Sequence, residues 1–135
     1  MNVKDSEFKS LLQAHKKIAV YGLSPDPGKA SHYVPKYMQD QGWDVVGVYP
    51  KLHDTGFKIY QTLKEVPAEY RKFINVFRRS DHLPEVMDEI LELDGVEVVW
   101  IQLGIEHEEA EARAEKAGIK VVSNRCLIIE HKKWF

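Results

Sequence analysis

Short runs of apolar and β-branched residues alternate with amphipathic stretches along almost the whole chain. This alternation restricts the fold more than any other feature of the sequence. The apolar runs occupy residues 18–22, 43–49, 73–77, 96–101 and 119–123. Nearly continuous apolar runs of this length are typical of strands that are buried on both faces of a parallel sheet.

The stretches between the runs have helical spacing. Asp5 or Ser6 can cap a first helix, a second begins near Ser31 and ends at Gly42, and two more cover 81–93 and 108–117. Strand and helix thus alternate about five times, which implies parallel strands joined by right-handed crossovers. We predict the α/β class: a single doubly wound (Rossmann-like) domain over residues 1–135, with about five mainly parallel strands and helices on both faces. Residues 126–129 form an apolar run whose form the sequence leaves open.

Composition excludes several functional classes. The 19 basic and 21 acidic residues give a net charge of −2, whereas non-specific nucleic-acid binding needs a basic surface. No segment approaches the roughly 20 apolar residues of a membrane helix. The one cysteine cannot form an internal disulfide. We therefore expect a cytoplasmic protein that binds neither nucleic acid nor membrane.

The loop after the first strand is the first candidate site, because ligands of doubly wound sheets bind at the carboxyl ends of the strands. Gly22 allows a ligand to approach the backbone, Ser24 and Ser31 offer hydroxyls, and Lys29 offers a positive charge. The N-terminus of the following helix can bind phosphate. The G-x-G-x-x-G spacing of dinucleotide sites is absent, so a Pro/Gly turn before a capped helix remains an equal alternative.

Positive and small residues follow the other strands too. Lys51 stands where NAD sites have an acid, which disfavours NAD and suits a phosphorylated ribose, as in CoA or NADP; a solvated surface lysine is the alternative. Of Arg78 and Arg79, one should face the ligand and the other should pair with a surface acid, because neighbours in an extended segment point in opposite directions. Gln102 and Gly104 follow the fourth strand. This recurrence predicts an anionic ligand.

At these residues the sequence resembles the stand-alone CoA-binding domain family, whose fold is that of the N-terminal domain of the succinyl-CoA synthetase alpha subunit. The matching stretches are residues 20–25, 48–51, 76–80, 99–104 and 124–127. The resemblance implies that Gly22, Leu23 and Ser24 line the phosphate loop, that Lys51 meets the nucleotide phosphates, and that residues 102–104 line the far wall. Many relatives have Asn where this chain has Tyr49, which could stack on an adenine or occlude it. Ligase relatives also need a further domain, so ligase activity by this chain alone is not expected.

The candidate binding residues are Gly22, Leu23, Ser24, Lys29, Tyr49, Pro50, Lys51, Phe77, Arg78, Gln102, Leu103 and Gly104. Together they predict a protein that binds coenzyme A or a short acyl-CoA and has no evident catalytic group. Two alternatives stay open: an NADP-dependent oxidoreductase, which explains Lys51 equally well, and a regulatory or interaction protein with a vestigial nucleotide cleft.

Other features are interpreted as structural. Cys126 beside apolar residues is more typical of a core residue than of a nucleophile. The six histidines lack metal-ligand spacing, and only His32 at the helix start is expected near a ligand. The acidic run 106–111 is interpreted as a solvated helical face. Trp134 and Phe135 could cover the body of the protein or form a homodimer contact.

Overall fold

A computed structural model describes residues 2–135 as one α/β domain around a six-stranded, all-parallel sheet. The strands are β1 Lys17–Tyr21, β2 Asp44–Val48, β3 Lys58–Tyr60, β4 Phe73–Val76, β5 Val98–Ile101 and β6 Lys120–Val122. The helices are α1 Phe8–Gln13, α2 Ala30–Asp40, α3 Leu83–Leu91, α4 Glu108–Lys116 and α5 Leu127–Trp134. Short 3₁₀ turns at Asp5–Glu7, Leu63–Glu65 and Ser80–His82 complete the regular structure.

The strand order is β3-β2-β1-β4-β5-β6, so the chain runs outward from β1 to one edge and then returns to β4 on the other side of β1. At the carboxyl edge, Tyr21 of β1 is in register with Val48 of β2 and with Val76 of β4. The strand order therefore reverses between β1 and β4, and this is where sheets of this type bind ligands.

Alternation of side chains along the strands produces two cores. Ile18 and Val20 of β1 join the core on the side of α1, α2 and α5, whereas Ala19 joins the core on the side of α3 and α4. Trp100 in β5 is fully buried in the first of these, as predicted. The prediction of helices on both faces of the sheet is thus confirmed. Each layer of helices packs against apolar side chains of the strands.

The strand count is six, where about five were predicted. The additional strand, β3, has three residues and lies at the edge of the sheet, paired with Val46–Val48. Only Ile59 within it is buried, so its sequence carries too little periodicity to be distinguished from a loop. The apolar run at 126–129, whose form was left open, is the start of α5.

The acidic run before and within α4 is not solvated throughout, and the prediction is wrong at Glu111. This carboxylate is 5% exposed and accepts hydrogen bonds from Nδ2 of Asn2 at 3.1 Å and from the backbone N–H of His107 at 2.8 Å. His107 in turn caps α4 by accepting a hydrogen bond from the N–H of Ala110. The first turn of a helix stabilises a carboxylate, which allows this one to be buried.

None of the helices within residues 2–135 combines the length and the apolar character that crossing a membrane requires.

Two largely buried histidines, His15 and His131, predict how the free energy of unfolding depends on pH. Burial lowers the pKa of His15, which packs edge-on against Phe73, and burial together with Lys16 lowers the pKa of His131, which is hydrogen-bonded to Tyr37. Below about pH 6.5 the unfolded chain therefore binds protons that the folded chain does not. We expect the free energy of unfolding to fall as the pH drops from 6.5 towards the lowered values.

Replacing both imidazoles, His15→Gln with His131→Gln, should flatten this part of the profile. Urea unfolding at a series of pH values measures the free energy of unfolding. Subtracting the profile of the double variant from that of wild type removes the contribution of the carboxylates, which both proteins share. An unchanged slope would contradict the assignment.

Candidate nucleotide site

Two adjoining cavities lie at the carboxyl ends of the strands, on either side of the reversal between β1 and β4. The small cavity has a volume of about 230 Å³ and is lined by Tyr21, Gly22, Ser24, Lys29, Ser31, Val48, Tyr49, Pro50, Gln61, Phe77 and Arg78. The large cavity has a volume of about 660 Å³ and is lined by Ala30, Ser31, Phe77, Arg78, Arg79, Ser80, Asp81, Gln102, Leu103, Gly104 and Ile105. The two cavities share Ser31, Phe77 and Arg78, so a long ligand can occupy both.

The loop between β1 and α2 forms one wall of the small cavity. It begins at Gly22, whose φ of +95° is readily adopted only by glycine, and whose N–H donates to the carbonyl oxygen of Val48 at 2.8 Å. Within the loop, the hydroxyl of Ser24 accepts a hydrogen bond from the N–H of Asp26. In the first turn of α2 the N–H of His32 donates to the carbonyl oxygen of Lys29 at 2.9 Å, so the N–H groups of Ala30 and Ser31 are the ones that can receive an anion.

Two histidines hold this loop from outside the cavities. Nδ1 of His32 donates to the carbonyl oxygen of Ser24 at 2.7 Å, and Nε2 of His53 donates to the carbonyl oxygen of Leu23 at 3.0 Å. The hydroxyl of Thr55 hydrogen-bonds to the other ring nitrogen of His53 and fixes its orientation. His32, expected near a ligand, is 8% exposed and lines neither cavity, so its role is to support the loop.

Arg78 lies on the wall that the two cavities share. Its Nη2 donates to Nδ1 of His82 at 2.8 Å, and its guanidinium lies 5.9 Å from the centre of the Tyr21 ring. Burial and a hydrogen bond to Glu89 raise the pKa of Tyr21, so this hydroxyl remains a neutral donor. His82 and Tyr21 thus contact the Arg78 guanidinium directly and orient it, which suits it to bind an anion.

Arg79 has a different role from its neighbour. It is 79% exposed and pairs with Asp81, Nη2 to Oδ2, at 2.9 Å. This confirms the prediction that one of the two arginines would pair with a surface acid. Both arginines line the large cavity, but only Arg78 also lines the small one.

The far wall of the large cavity is made by the segments after β5 and β6. The N–H of Gly104 donates to Oδ1 of Asn124 at 2.7 Å, which joins the two segments. Asn124 has a φ of +57°, a conformation that asparagine tolerates better than most residues. Gln102 is buried in this wall and Leu103 is 56% exposed at its rim.

The structure brings most of the predicted binding residues together. Those that line one or both cavities are Gly22, Ser24, Lys29, Tyr49, Pro50, Phe77, Arg78, Gln102, Leu103 and Gly104. Leu23 lines neither, because its side chain is fully buried in the core beneath the loop. Lys51 is exposed, next to Pro50 in sequence but outside the set of lining residues. Which of these residues contact a ligand stays a prediction.

Sequence reasoning missed two contributors to the site. Gln61 lines the small cavity and donates to the carbonyl oxygen of Pro50 at 3.1 Å; it follows β3 directly, so recognising that strand would have revealed it. His53 carries no local signal, since its contact with Leu23 joins residues that are distant in sequence.

Cys126 is half-buried and packs against the core on the side of α1, α2 and α5. Within residues 2–135, no three potential metal ligands among the His, Cys, Asp and Glu side chains lie close enough together to hold an ion.

Comparison with known proteins finds similarity over nearly the full chain. Residues 16–132 match a family model described as a CoA binding domain. An uncharacterized protein of Bacillus subtilis (strain 168), YneT, is 40% identical over 131 residues, which is 96% of each chain.

Solved structures show the same fold. A Thermus thermophilus protein, described as cell-free ID.343, superimposes with a TM-score of 0.89 at 37% identity, over 98% of this chain and 100% of its own. A hypothetical protein from Pyrococcus horikoshii OT3 gives a TM-score of 0.88 at 31% identity, over 98% and 92% of the two chains.

Proposed function

We propose, on the premise that this chain belongs to the CoA binding domain family, that it binds coenzyme A or a short acyl-CoA at the carboxyl ends of its strands. The role proposed is binding, and no catalytic group is assigned. The observation that carries the proposal is the position of Arg78, a buttressed guanidinium on the wall shared by two adjoining cavities. A guanidinium in that position can bind the pyrophosphate that links the two halves of CoA.

The rest of the small cavity supports a phosphorylated ligand. Lys29 supplies a second positive charge, and the free N–H groups at the start of α2 supply uncharged donors. Tyr49 lies in the same wall, edge-on to His53 at 5.4 Å between ring centres, and we propose that it contacts the adenine. A chain with a net charge of −2 thus places cationic groups at the one edge where such a sheet binds ligands.

Lys51 is proposed to meet the 3′-phosphate of CoA. In calorimetric titrations, wild type should bind CoA about five- to tenfold more tightly than dephospho-CoA, as expected for one exposed charged contact. Lys51→Ala should lose this preference. Lys64→Ala, which removes an exposed lysine that lines neither cavity, should keep this preference. Equal affinity of wild type for the two ligands would contradict the role of Lys51.

A melting experiment separates the proposal from its alternatives. CoA should raise the melting temperature, because a ligand that prefers the folded state must stabilise it. A melt that CoA, NADP and ATP all leave unmoved would favour a vestigial cleft. Turnover of NADPH with a panel of carbonyl compounds would instead favour an oxidoreductase.

The proposed compartment is the cytoplasm. The chain has a single cysteine, Cys126, and so contains no internal disulfide that would need an oxidising environment.

A further inference from the structure

His53 contacts two of the segments that line the small cavity, although it does not line either cavity itself. Its Nε2 donates to the carbonyl oxygen of Leu23, in the loop between β1 and α2, at 3.0 Å. Its ring lies edge-on to the ring of Tyr49, in the segment that follows β2, with 5.4 Å between the ring centres. One side chain therefore joins the loop beside the proposed phosphate position to the residue proposed to contact the adenine.

Thr55 fixes the direction in which the His53 ring points. The hydroxyl of Thr55 lies 2.9 Å from Nδ1 of His53. Because a carbonyl oxygen can only accept, Nε2 carries the hydrogen towards Leu23, and the hydroxyl can donate to a neutral ring or accept from a protonated one. The bond to Leu23 is thus compatible with both protonation states of the imidazole.

The backbone that His53 holds is already anchored on its other side. The side chain of Leu23 is fully buried and packs against Gly47, where an added Cβ would come within 2.7 Å of the Cβ of Leu23. The next carbonyl oxygen along the loop, that of Ser24, accepts from Nδ1 of His32 at 2.7 Å. Two successive carbonyl oxygens are therefore bonded to imidazoles that line neither cavity.

The direction of these oxygens matters for an anionic ligand. A carbonyl oxygen carries partial negative charge, so a carbonyl that faced the cavity would repel a phosphate. Oriented peptide groups act as fixed partial charges, and holding them in place before the ligand arrives reduces the cost of binding. With the oxygens of Leu23 and Ser24 bonded outside the cavity, the ligand meets Lys29 and the N–H groups at the start of α2.

We propose that His53 is a positioning residue of the binding site, which holds the carbonyl oxygen of Leu23 away from the bound phosphates and fixes the loop relative to Tyr49. This inference rests on the proposed function, and it assigns His53 no contact with the ligand. Ligand affinity then depends on an N–H donor at position 53 and not on an aromatic ring there.

Three variants separate the donor from the ring. His53→Phe keeps a ring against Tyr49 and removes the donor. His53→Gln removes the ring and keeps a donor, because the amide nitrogen of glutamine reaches about as far as Nε2 of histidine. His15→Phe is the matched control, since His15 also packs edge-on against an aromatic ring but precedes β1 at the other edge of the sheet and lines neither cavity.

Calorimetry with CoA, well below the melting temperature, measures the outcome on folded protein, and melting temperatures confirm that each variant folds. His53→Phe should weaken CoA roughly five- to tenfold, as expected for the loss of one hydrogen bond. His53→Gln should remain within about threefold of wild type, and His15→Phe within about twofold. A role of His53 in folding alone would leave the affinity of the folded protein unchanged.

A double-mutant cycle tests whether Thr55 acts through His53. Thr55→Val removes the hydroxyl and keeps the shape of the side chain. It should weaken CoA about two- to threefold in the wild-type background and cause no further loss in the His53→Phe background.

Several results would contradict the inference and leave the proposed function standing. These are a CoA affinity of His53→Phe equal to that of wild type, a His53→Gln variant as weak as His53→Phe, and equal losses from Thr55→Val in the two backgrounds. If wild type itself does not bind CoA, the proposed function fails and this inference fails with it.

Discussion

Gly22→Ala is expected to destabilise the protein by about 2–5 kcal/mol and to abolish ligand binding. A Cβ on Gly22 would lie 2.5 Å from the carbonyl oxygen of Phe77, far inside contact distance, and backbone cannot move aside as a flexible side chain can. The φ of +95° adds about 1–2 kcal/mol of strain for any residue with a Cβ, and the overlap adds about 1–3 kcal/mol. The loop and the end of β4 would have to separate, and they form the wall of the small cavity.

Gly42→Ala is the matched control. Gly42 has a φ of +92°, yet a Cβ there would meet nothing within 4 Å, so it reports the backbone strain without the overlap. Urea unfolding should show a loss of about 1–2 kcal/mol for Gly42→Ala and a clearly larger loss for Gly22→Ala. Equal losses would show that the contact with Phe77 is relieved at little cost, and unimpaired CoA binding by Gly22→Ala would remove the loop from the site.

Arg78→Ala should weaken CoA by about 10- to 150-fold, or roughly 1.5–3 kcal/mol, as expected for removal of a charged hydrogen bond to phosphate. The side chain is half-buried and held by His82 and Tyr21, so little of the interaction is lost to solvent or to disorder. Arg78→Lys should give an intermediate loss, because an ammonium keeps the charge but not the planar, forked donor set.

Arg79→Ala is a control of the same residue type in the adjacent position. Its guanidinium is 79% exposed and paired with Asp81, so CoA affinity should change by less than about twofold. Calorimetry measures the CoA affinity of both variants, and melting temperatures confirm that they fold. A loss at Arg79 as large as that at Arg78 would mean that the ligand is held by a general positive field and not by one oriented side chain.

Much of the architecture was predictable because its signals are local. The five strands other than β3 lie in runs of consecutive apolar residues, and the parallel arrangement with helices on both faces follows from the alternation of these runs with helical stretches. Strand β3 was not recognised, because three residues with one buried side chain become a strand only through pairing with β2. Glu111 was assigned to solvent for a similar reason, since its partner Asn2 lies at the far end of the sequence.

The position of the candidate site was predictable to the level of the strand ends. The rule that ligands bind there selected residues scattered from Gly22 to Gly104, and ten of the twelve line the two cavities. The two exceptions depend on side-chain direction. Leu23 turns into the core and Lys51 stays outside both cavities, and neither orientation is encoded in residue type or spacing.

The sequence by itself determined the class of fold, and it predicted which edge of the sheet carries the candidate site and that basic residues lie at that edge. Runs of apolar residues and glycines at turns act through local backbone geometry, so strands and turns can be predicted from the sequence around them. Only the tertiary structure decided that Arg78 lines both cavities whereas Arg79 lines one and pairs with Asp81, and that His53 holds the loop. These outcomes depend on which distant side chains pack together, and packing is settled by the three-dimensional arrangement of the whole domain.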